Sequence, residues 1–401
     1  MELLTPAIQN YPWGSKTLIA ALQGRDVPTL SPEAELWFGA HHAAPSRLNG
    51  EGLDGVIAAD PESTLGPRVR KQFGDSLPFL MKLLAADEPL SIQAHPTLEQ
   101  AIAGFEKENE EAIPVGSSTR NYKDPNHKPE LIVALTDFRA LAGFRPIAKT
   151  MELFDALTCG RLNRYSAMLD PQHEEESLRA LLTTLISLPR NARLELIDGI
   201  SECARAMVAG DGEEFPEWMI ATVQNYLNLT EKYPGDAGVL AALLLNYFVL
   251  EPGEALFLGA GHLHAYMGGL GVEIMANSDN VLRGGLTSKH IDVPELVRIL
   301  NFTALESPHL ATTTQAGVTA FPVPINDFIL SRHALGGTGN ANTLIAESDG
   351  PAIVLCTAGK VTADGRELSA GDAAWLPAAD GPVEFSLAPG SDTAEVFFAR
   401  V

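Results

Sequence analysis

The chain has 401 residues, 45% of them hydrophobic and 20% charged, with a formal net charge of −23. That length exceeds one ordinary core and the balance suits a soluble globular protein, so two or three domains are expected and disordered or fibrous classes are excluded. A field this negative repels nucleic-acid backbones and anionic membranes, so neither is expected as a partner, and any anionic substrate needs a locally basic pocket.

The opening segment, MELLTPAIQNYPWGSK, has no basic stretch followed by a continuous apolar run, so it does not read as a secretory signal. No apolar run reaches the roughly 18 residues of a membrane span, because VLAALLL is interrupted at Asn246 before YFVL. Cys159, Cys203 and Cys356 are sparse, with no CxxC spacing, which predicts reduced thiols and a cytoplasmic location.

Residues 1–146 are rich in Pro, Gly and short apolar runs such as LPFLMKLL and ELIVAL, which predicts short strands in a barrel or sandwich. Residues 147–245 turn helical. HEEESLRALLTTLISL opens with acids suited to a helix N-terminus, and EWMIATVQNYLNL sets Met219, Ile220, Val223, Tyr226 and Leu227 on one packing stripe. In 246–305 the strand texture returns. YFVLEPGEALFL predicts a hairpin around EPGE, and VPELVRIL predicts a closing helix. Residues 306–401 again alternate short strands and turns; His309 and His333 have no ligand-type neighbour at alternating spacing and read as structural. The fold class is therefore mainly β, with an α-helical insertion splitting one β domain and a second β domain following it.

Three segments carry chemistry. SIQAHP places Gln93 and His95 two apart, hence on one face of a strand, and GHLHAY repeats the spacing with His262 and His264. KDPNHKPE, between them, ends on Glu130, and its prolines make it a stiff, extended segment. Alone, each pair reads as satisfied core polarity. Converging in one barrel, they make a mixed N/O site for Zn²⁺ or another divalent ion. The third segment, GLGVEIMANSDNVLRGGLTSKHID, sets Glu273, Arg283 and Lys289 among glycines that permit close backbone approach, where a plain loop with surface charge is the rival reading.

YPWGS, ELWFGAHHAAPS, LPFLMKLLAADEPLSIQAHP, YKDPNHKPELIVAL, HAY and VEIMANSDNVLRGGLTSKHID follow one another in an order and spacing that resemble the type I phosphomannose isomerases. The resemblance is dense from Tyr11 to about residue 300, and rests on length in the helical block and on texture in the tail. It implies a cupin (jelly-roll) catalytic barrel with a helical insertion and a second, metal-free cupin-like β domain. It implies one Zn²⁺ held by Gln93, His95, Glu130 and His264. It also implies interconversion of mannose 6-phosphate and fructose 6-phosphate by proton transfer between C1 and C2 through an enediol. Glu273 is the first choice for that transfer, with His127 and Asp279 as rivals.

Under the same resemblance Arg283, Lys289 and Lys128 gather at the phosphosugar, Ser91 donates to its phosphate, and Trp13 and Tyr266 form walls. His262 matches no ligand of the family and reads as a support for its neighbours. Leu263 and Ser288 stand where the family usually has prolines. A monomer is expected. Two other classes compete: a different metal cupin such as an iron oxygenase, which a Gln ligand suits less well, and a non-catalytic sugar-phosphate sensor, which would not be expected to keep Glu130, Glu273, Arg283 and Lys289 together.

Overall fold

The computed structural model describes residues 1–210 and 215–401. Two ten-stranded antiparallel sheets dominate it. The first runs in the order Leu245–Leu250, Phe138–Phe144, His264–Ala276, Phe79–Ala86, Glu35–Gly39, Ala7–Gln9, with Glu130–Ala134, Ala255–Leu258, Ile92–Ala94 and Leu282–Gly285 joined to its flanks. The second comprises the strands from Thr313–Gln315 to Thr393–Arg400 and one visitor, Glu2–Leu4, which pairs with Ala373–Leu376.

Strand His264–Ala276 serves two layers. Its first half pairs with Phe138–Phe144, and its second half lies between Phe79–Ala86 and Glu130–Ala134. The bend falls at Gly268 and Gly269, whose φ values of 157° and 124° suit glycine. A Cβ on Gly269 would meet the Asp137 carbonyl at 2.6 Å. The bend turns both ends of one strand, His264 and Glu273, towards the same interior.

Strand Phe79–Ala86 is buried on both faces, and its period of two decides which residue meets what. Phe79, Met81, Leu83 and Ala85 join a core that also holds Phe321, Phe328, Leu355 and Phe397, so the two barrels share apolar packing. Leu80, Lys82 and Leu84 face the first barrel's cavity. A third body of apolar contacts seats helices Glu174–Ile186 and Glu217–Lys232, through Leu178, Leu181, Val223 and Tyr226, on Leu141, Phe144 and Leu245 of the first sheet.

Two expectations change. The stretch read as strands also folds into helices Leu53–Ala59, Pro61–Phe73 and Leu98–Glu110. Asp60 accepts from Ser63 N–H ahead of Pro61, and Thr97 with Gln100 forms a reciprocal capping box, so local helix-start chemistry outweighs the Pro- and Gly-rich texture. The runs around EPGE do form strands, but they do not pair with each other. Leu245–Leu250 pairs with Phe138–Phe144, and Ala255–Leu258 with Glu130–Ala134. Gly253 N–H donates to the Ala134 carbonyl, which ties the turn to a neighbouring strand and carries the chain between layers. The closing helix is present as Val293–Ile299. Among the described residues no helix is long and apolar enough to cross a membrane.

Candidate active site

Gln93 and His264 are register partners on adjacent strands, and Glu130 opens the strand that pairs with the far half of His264–Ala276. This topology brings His95 Nε2 to 3.3 Å from Glu130 Oε1, and His264 Nε2 to 3.3 Å from Glu130 Oε2. The Gln93 amide lies 3.5 Å from His264 Nε2. His95, Glu130 and His264 are each at most 2% exposed.

Both imidazoles are held by their other nitrogen. His95 Nδ1 contacts the Asn280 carbonyl at 2.7 Å, and His264 Nδ1 contacts the His262 carbonyl at 2.9 Å. A carbonyl only accepts, so Nδ1 carries the hydrogen in each ring and the Nε2 lone pairs face each other's neighbourhood. Among the described residues His95 Nε2 and Glu130 Oε2 are buried without a hydrogen-bond partner, a costly state for polar atoms. Two imidazole lone pairs, a carboxylate and an amide are the donor set of a Zn²⁺ site, and these four residues fit that ion. His262 enters through its backbone carbonyl, which orients His264.

Electrostatics keep the donors in ligand form. Burial alone would raise Glu130, but Lys128 Nζ at 2.9 Å holds its carboxyl well below the usual range. Burial pushes His95 down to about 4 against the pull of Glu130, so the ring is neutral at physiological pH.

KDPNHKPE is stapled in place by NSDN. Ser278 Oγ donates to Asp124 Oδ1 at 2.8 Å, Asp279 N–H donates to Asp124 Oδ2 at 2.8 Å, and Asn280 Nδ2 donates to the Asp124 carbonyl at 2.7 Å. The clamp aims Lys128 and Glu130 inward. His127 points elsewhere, with Nε2 3.0 Å from Asp327 Oδ1 on the C-terminal sheet's side.

A cavity of about 190 Å³ joins Gln93, Lys128, Glu130, Tyr266, Glu273 and Asp279. One wall is a buried polar chain across three strands. Tyr266 OH donates to Glu273 Oε1 at 3.0 Å, and Lys82 Nζ sits 2.8 Å from Glu273 Oε2 and 3.5 Å from Glu35 Oε1. Trp37 Nε1 donates to Glu35 Oε2 at 2.7 Å. Burial works against the charge of Lys82, but Glu273, Glu35 and Glu130 outweigh it and hold the ammonium above its usual range. Burial raises Glu273, opposed by Lys82 and reinforced by Glu130 and Glu35. Lys82, Glu35, Trp37 and His41 were not singled out from sequence. The available signal was a charge inside the apolar runs LPFLMKLL and AELWFG, where a buried strand tolerates one only with partners.

Next to this cavity, and sharing Gln93 and Leu90 with it, opens a cleft of about 660 Å³ lined by Trp13, Ser91, Arg283 and Lys289. Arg283 is the register partner of Gln93, one strand from the candidate metal. Among the described residues neither Arg283 nor Lys289 lies within salt-bridge distance of an acid, and burial lowers both, Lys289 further through Arg283 and Lys123. The chain is strongly acidic overall, yet Lys232, Arg283 and Lys289 line this cleft with a single carboxylate, Glu88.

Residues 1–147 match the model of the type I phosphomannose isomerase catalytic domain. Mannose-6-phosphate isomerase of Escherichia coli (strain K12) is 39% identical over 394 residues, covering 96% of each chain. A solved structure of a phosphomannose isomerase variant from Salmonella typhimurium superposes with a TM-score of 0.87 at 36% identity, covering 100% of this chain and 98% of that one. A zinc-bound mannose 6-phosphate isomerase superposes with a TM-score of 0.86 at 35% identity over 100% of this chain and 99% of that one. In sequence over 96% of its length and in fold, the chain belongs to the type I phosphomannose isomerase family.

Proposed function

We propose that this chain interconverts mannose 6-phosphate and fructose 6-phosphate as a zinc-dependent aldose–ketose isomerase. One observation carries the reading: among the described residues the buried, unpartnered ligand atoms of His95 and Glu130, with His264, converge beside a cleft whose Arg283 and Lys289 have no acidic partner. Gln93, His95, Glu130 and His264 would hold the zinc, which when bound supplies Lewis-acid stabilisation of negative charge on a sugar oxygen.

The chain's own residues do the rest. Arg283 receives the phosphate through two parallel hydrogen bonds, Lys289 adds a point charge, and Ser91 donates. Anchoring the remote phosphate places C1 and C2 in the inner cavity, and binding energy there is spent on orientation. Glu273 moves the proton between C2 and C1. Its raised carboxyl suits that task, and Tyr266 and Lys82 hold its two oxygens in place. Lys128, 2.9 Å from Glu130, faces the developing enediol charge. Asp279, held low, is a poor base and a good hydrogen-bond acceptor. His127, turned to Asp327, is left outside the proton path. Trp13 walls the outer cleft and Tyr266 the inner cavity.

The chain is proposed to work as a monomer, because every residue named here comes from one copy. Its net charge of −23 supports the absence of a nucleic-acid partner, and its free cysteines support a cytoplasmic setting. The domain division proposed is a catalytic barrel of 1–146 and 246–305, an insertion of 147–245 and a second barrel of 306–401, with Glu2–Leu4 lent to the second barrel. Formation of fructose 6-phosphate from mannose 6-phosphate, abolished by chelation and restored by Zn²⁺, is the expected result. Bound iron with oxygen consumption, or sugar-phosphate binding without turnover, would overturn it.

A further inference from the structure

The loop after strand Glu35–Gly39 carries two adjacent histidines that face Asp279. His41 is buried, and the side chain of His42 is 81% exposed. His41 Nε2 lies 3.3 Å from Asp279 Oδ1, and His42 Nε2 lies 3.9 Å from Asp279 Oδ2. The spacing is that of a cation site, but the hydrogen bonding opposes one. Ala43 N–H donates to His41 Nδ1 at 3.2 Å, which uses that lone pair. The neutral ring then carries its hydrogen on Nε2, where a cation would have to bind, and donates it to Asp279.

The group is rigid. The His41 ring meets Trp37 edge-on, with centroids 4.9 Å apart and an interplanar angle of 70°, and Asp279 is pinned through its own N–H to Asp124. Burial alone would raise Asp279, but the His41 hydrogen bond holds it near 2, so the carboxylate stays anionic.

The other carboxylates of this cavity are already engaged. Glu273 answers Tyr266 and Lys82, Glu35 answers Trp37 and Lys82, and Glu130 answers Lys128 through Oε1 and turns Oε2 towards the candidate metal position. Among the described residues, Asp279 Oδ2 is the cavity-wall carboxylate oxygen that neither a hydrogen bond nor the candidate metal position takes up, on a side chain 33% exposed. A hexose phosphate brings several hydroxyls that need acceptors, and a wall of Lys82 and Lys128 offers donors instead.

We propose that His41 is a positioning residue for the substrate: by holding Asp279 Oδ1 it leaves Oδ2 as a fixed anionic acceptor for a hydroxyl of the hexose phosphate chain. This inference rests on the isomerase reading. Its test is a double-mutant cycle on the zinc-loaded enzyme with mannose 6-phosphate, comparing His41→Ala, Asp279→Asn and the pair, with zinc content and Tm measured alongside. His41→Ala should lower kcat/KM about 10–100-fold, the scale seen when an orienting partner is lost. Zinc content should not change.

His41→Gln, whose amide N–H stands near the position of Nε2, should recover most of the loss. In the Asp279→Asn background His41→Ala should cost less than about threefold, because the amide that replaces Oδ2 no longer accepts the hydroxyl that His41 serves to position. Equal cost in both backgrounds, or no rescue by Gln at unchanged Tm, would overturn the proposal. Where His41→Ala fails to fold, His41→Gln and Asp279→Asn carry the test. Near-wild-type kcat/KM in Asp279→Asn then overturns it. Wild-type turnover is the separate control on the isomerase reading: without it both fall, and with it only the cycle decides.

Discussion

The two barrels follow the same strand alternation and share a core, yet one is polar and charged inside and the other is apolar. In the first, inward positions of Phe79–Ala86 and His264–Ala276 include Lys82, His264, Tyr266 and Glu273. In the second, Val354, Cys356, Val361, Phe385, Val396 and Phe398 form a continuous apolar filling. Among the described residues the groups with metal-ligand geometry all lie in the first barrel. A jelly-roll interior therefore does not produce a metal site by itself. It produces one only where each inward polar group finds a partner, as along Tyr266–Glu273–Lys82–Glu35–Trp37.

The comparison breaks most visibly at the ligands. His264→Ala should lose bound zinc and more than about 10²-fold in kcat/KM, beyond what loss of an orienting neighbour costs. His262→Ala should keep the metal, because its contribution is a backbone carbonyl. Metal analysis of both variants checks this, and equal loss would return His262 to the ligand set.

A matched pair of core variants sharpens it next. Lys82→Met leaves Glu273 and Glu35 buried without their cation, which should cost about 3–5 kcal/mol of stability and impair turnover together. Phe385→Ala empties part of the apolar barrel and should also cost about 3–5 kcal/mol, with kcat/KM of the folded enzyme nearly unchanged. Urea unfolding and kinetics on the same samples separate the two. An active Lys82→Met enzyme would make the polar wall purely structural.

At the mouth, Arg283→Lys keeps the charge but not the planar fork, so kcat/KM should fall roughly 10–100-fold, the equivalent of about 1.5–3 kcal/mol, with zinc retained. Near-normal kinetics would move the phosphate contact towards Lys128 and Ser91.

The smallest effect concerns the apolar barrel's own histidine. Burial, aided by Arg400, pushes His333 down to about 4 from the ordinary 6.5, so it folds neutral. A depressed folded value means the unfolded chain takes up a proton first. Stability is intact above pH 6.5 and declines as pH falls from 6.5 towards 4, by about 1–2 kcal/mol after solvent screening. Thermal unfolding between pH 7 and pH 4.5 should fall less steeply in His333→Gln than in the parent. Parallel curves would refute the assignment.

Much of this was legible in the chain. Q-x-H, HKPE and HAY hold ligand-type side chains at spacings that a period-two strand turns to one face, and helical stripes such as that of Glu217–Lys232 are visible as periodicity. Helices Pro61–Phe73 and Leu98–Glu110 were masked by texture although their caps were written plainly. These are local properties, set by how one residue restricts the next few, so a linear reading reaches them. Tertiary structure alone decided that the EPGE turn joins layers rather than closing a hairpin, that Glu2–Leu4 crosses to the second sheet, and that His127 turns to Asp327. It alone placed Lys82 between two carboxylates. A buried charge is stable only beside partners that lie tens to hundreds of residues away, and no spacing along the chain records which of them will meet it.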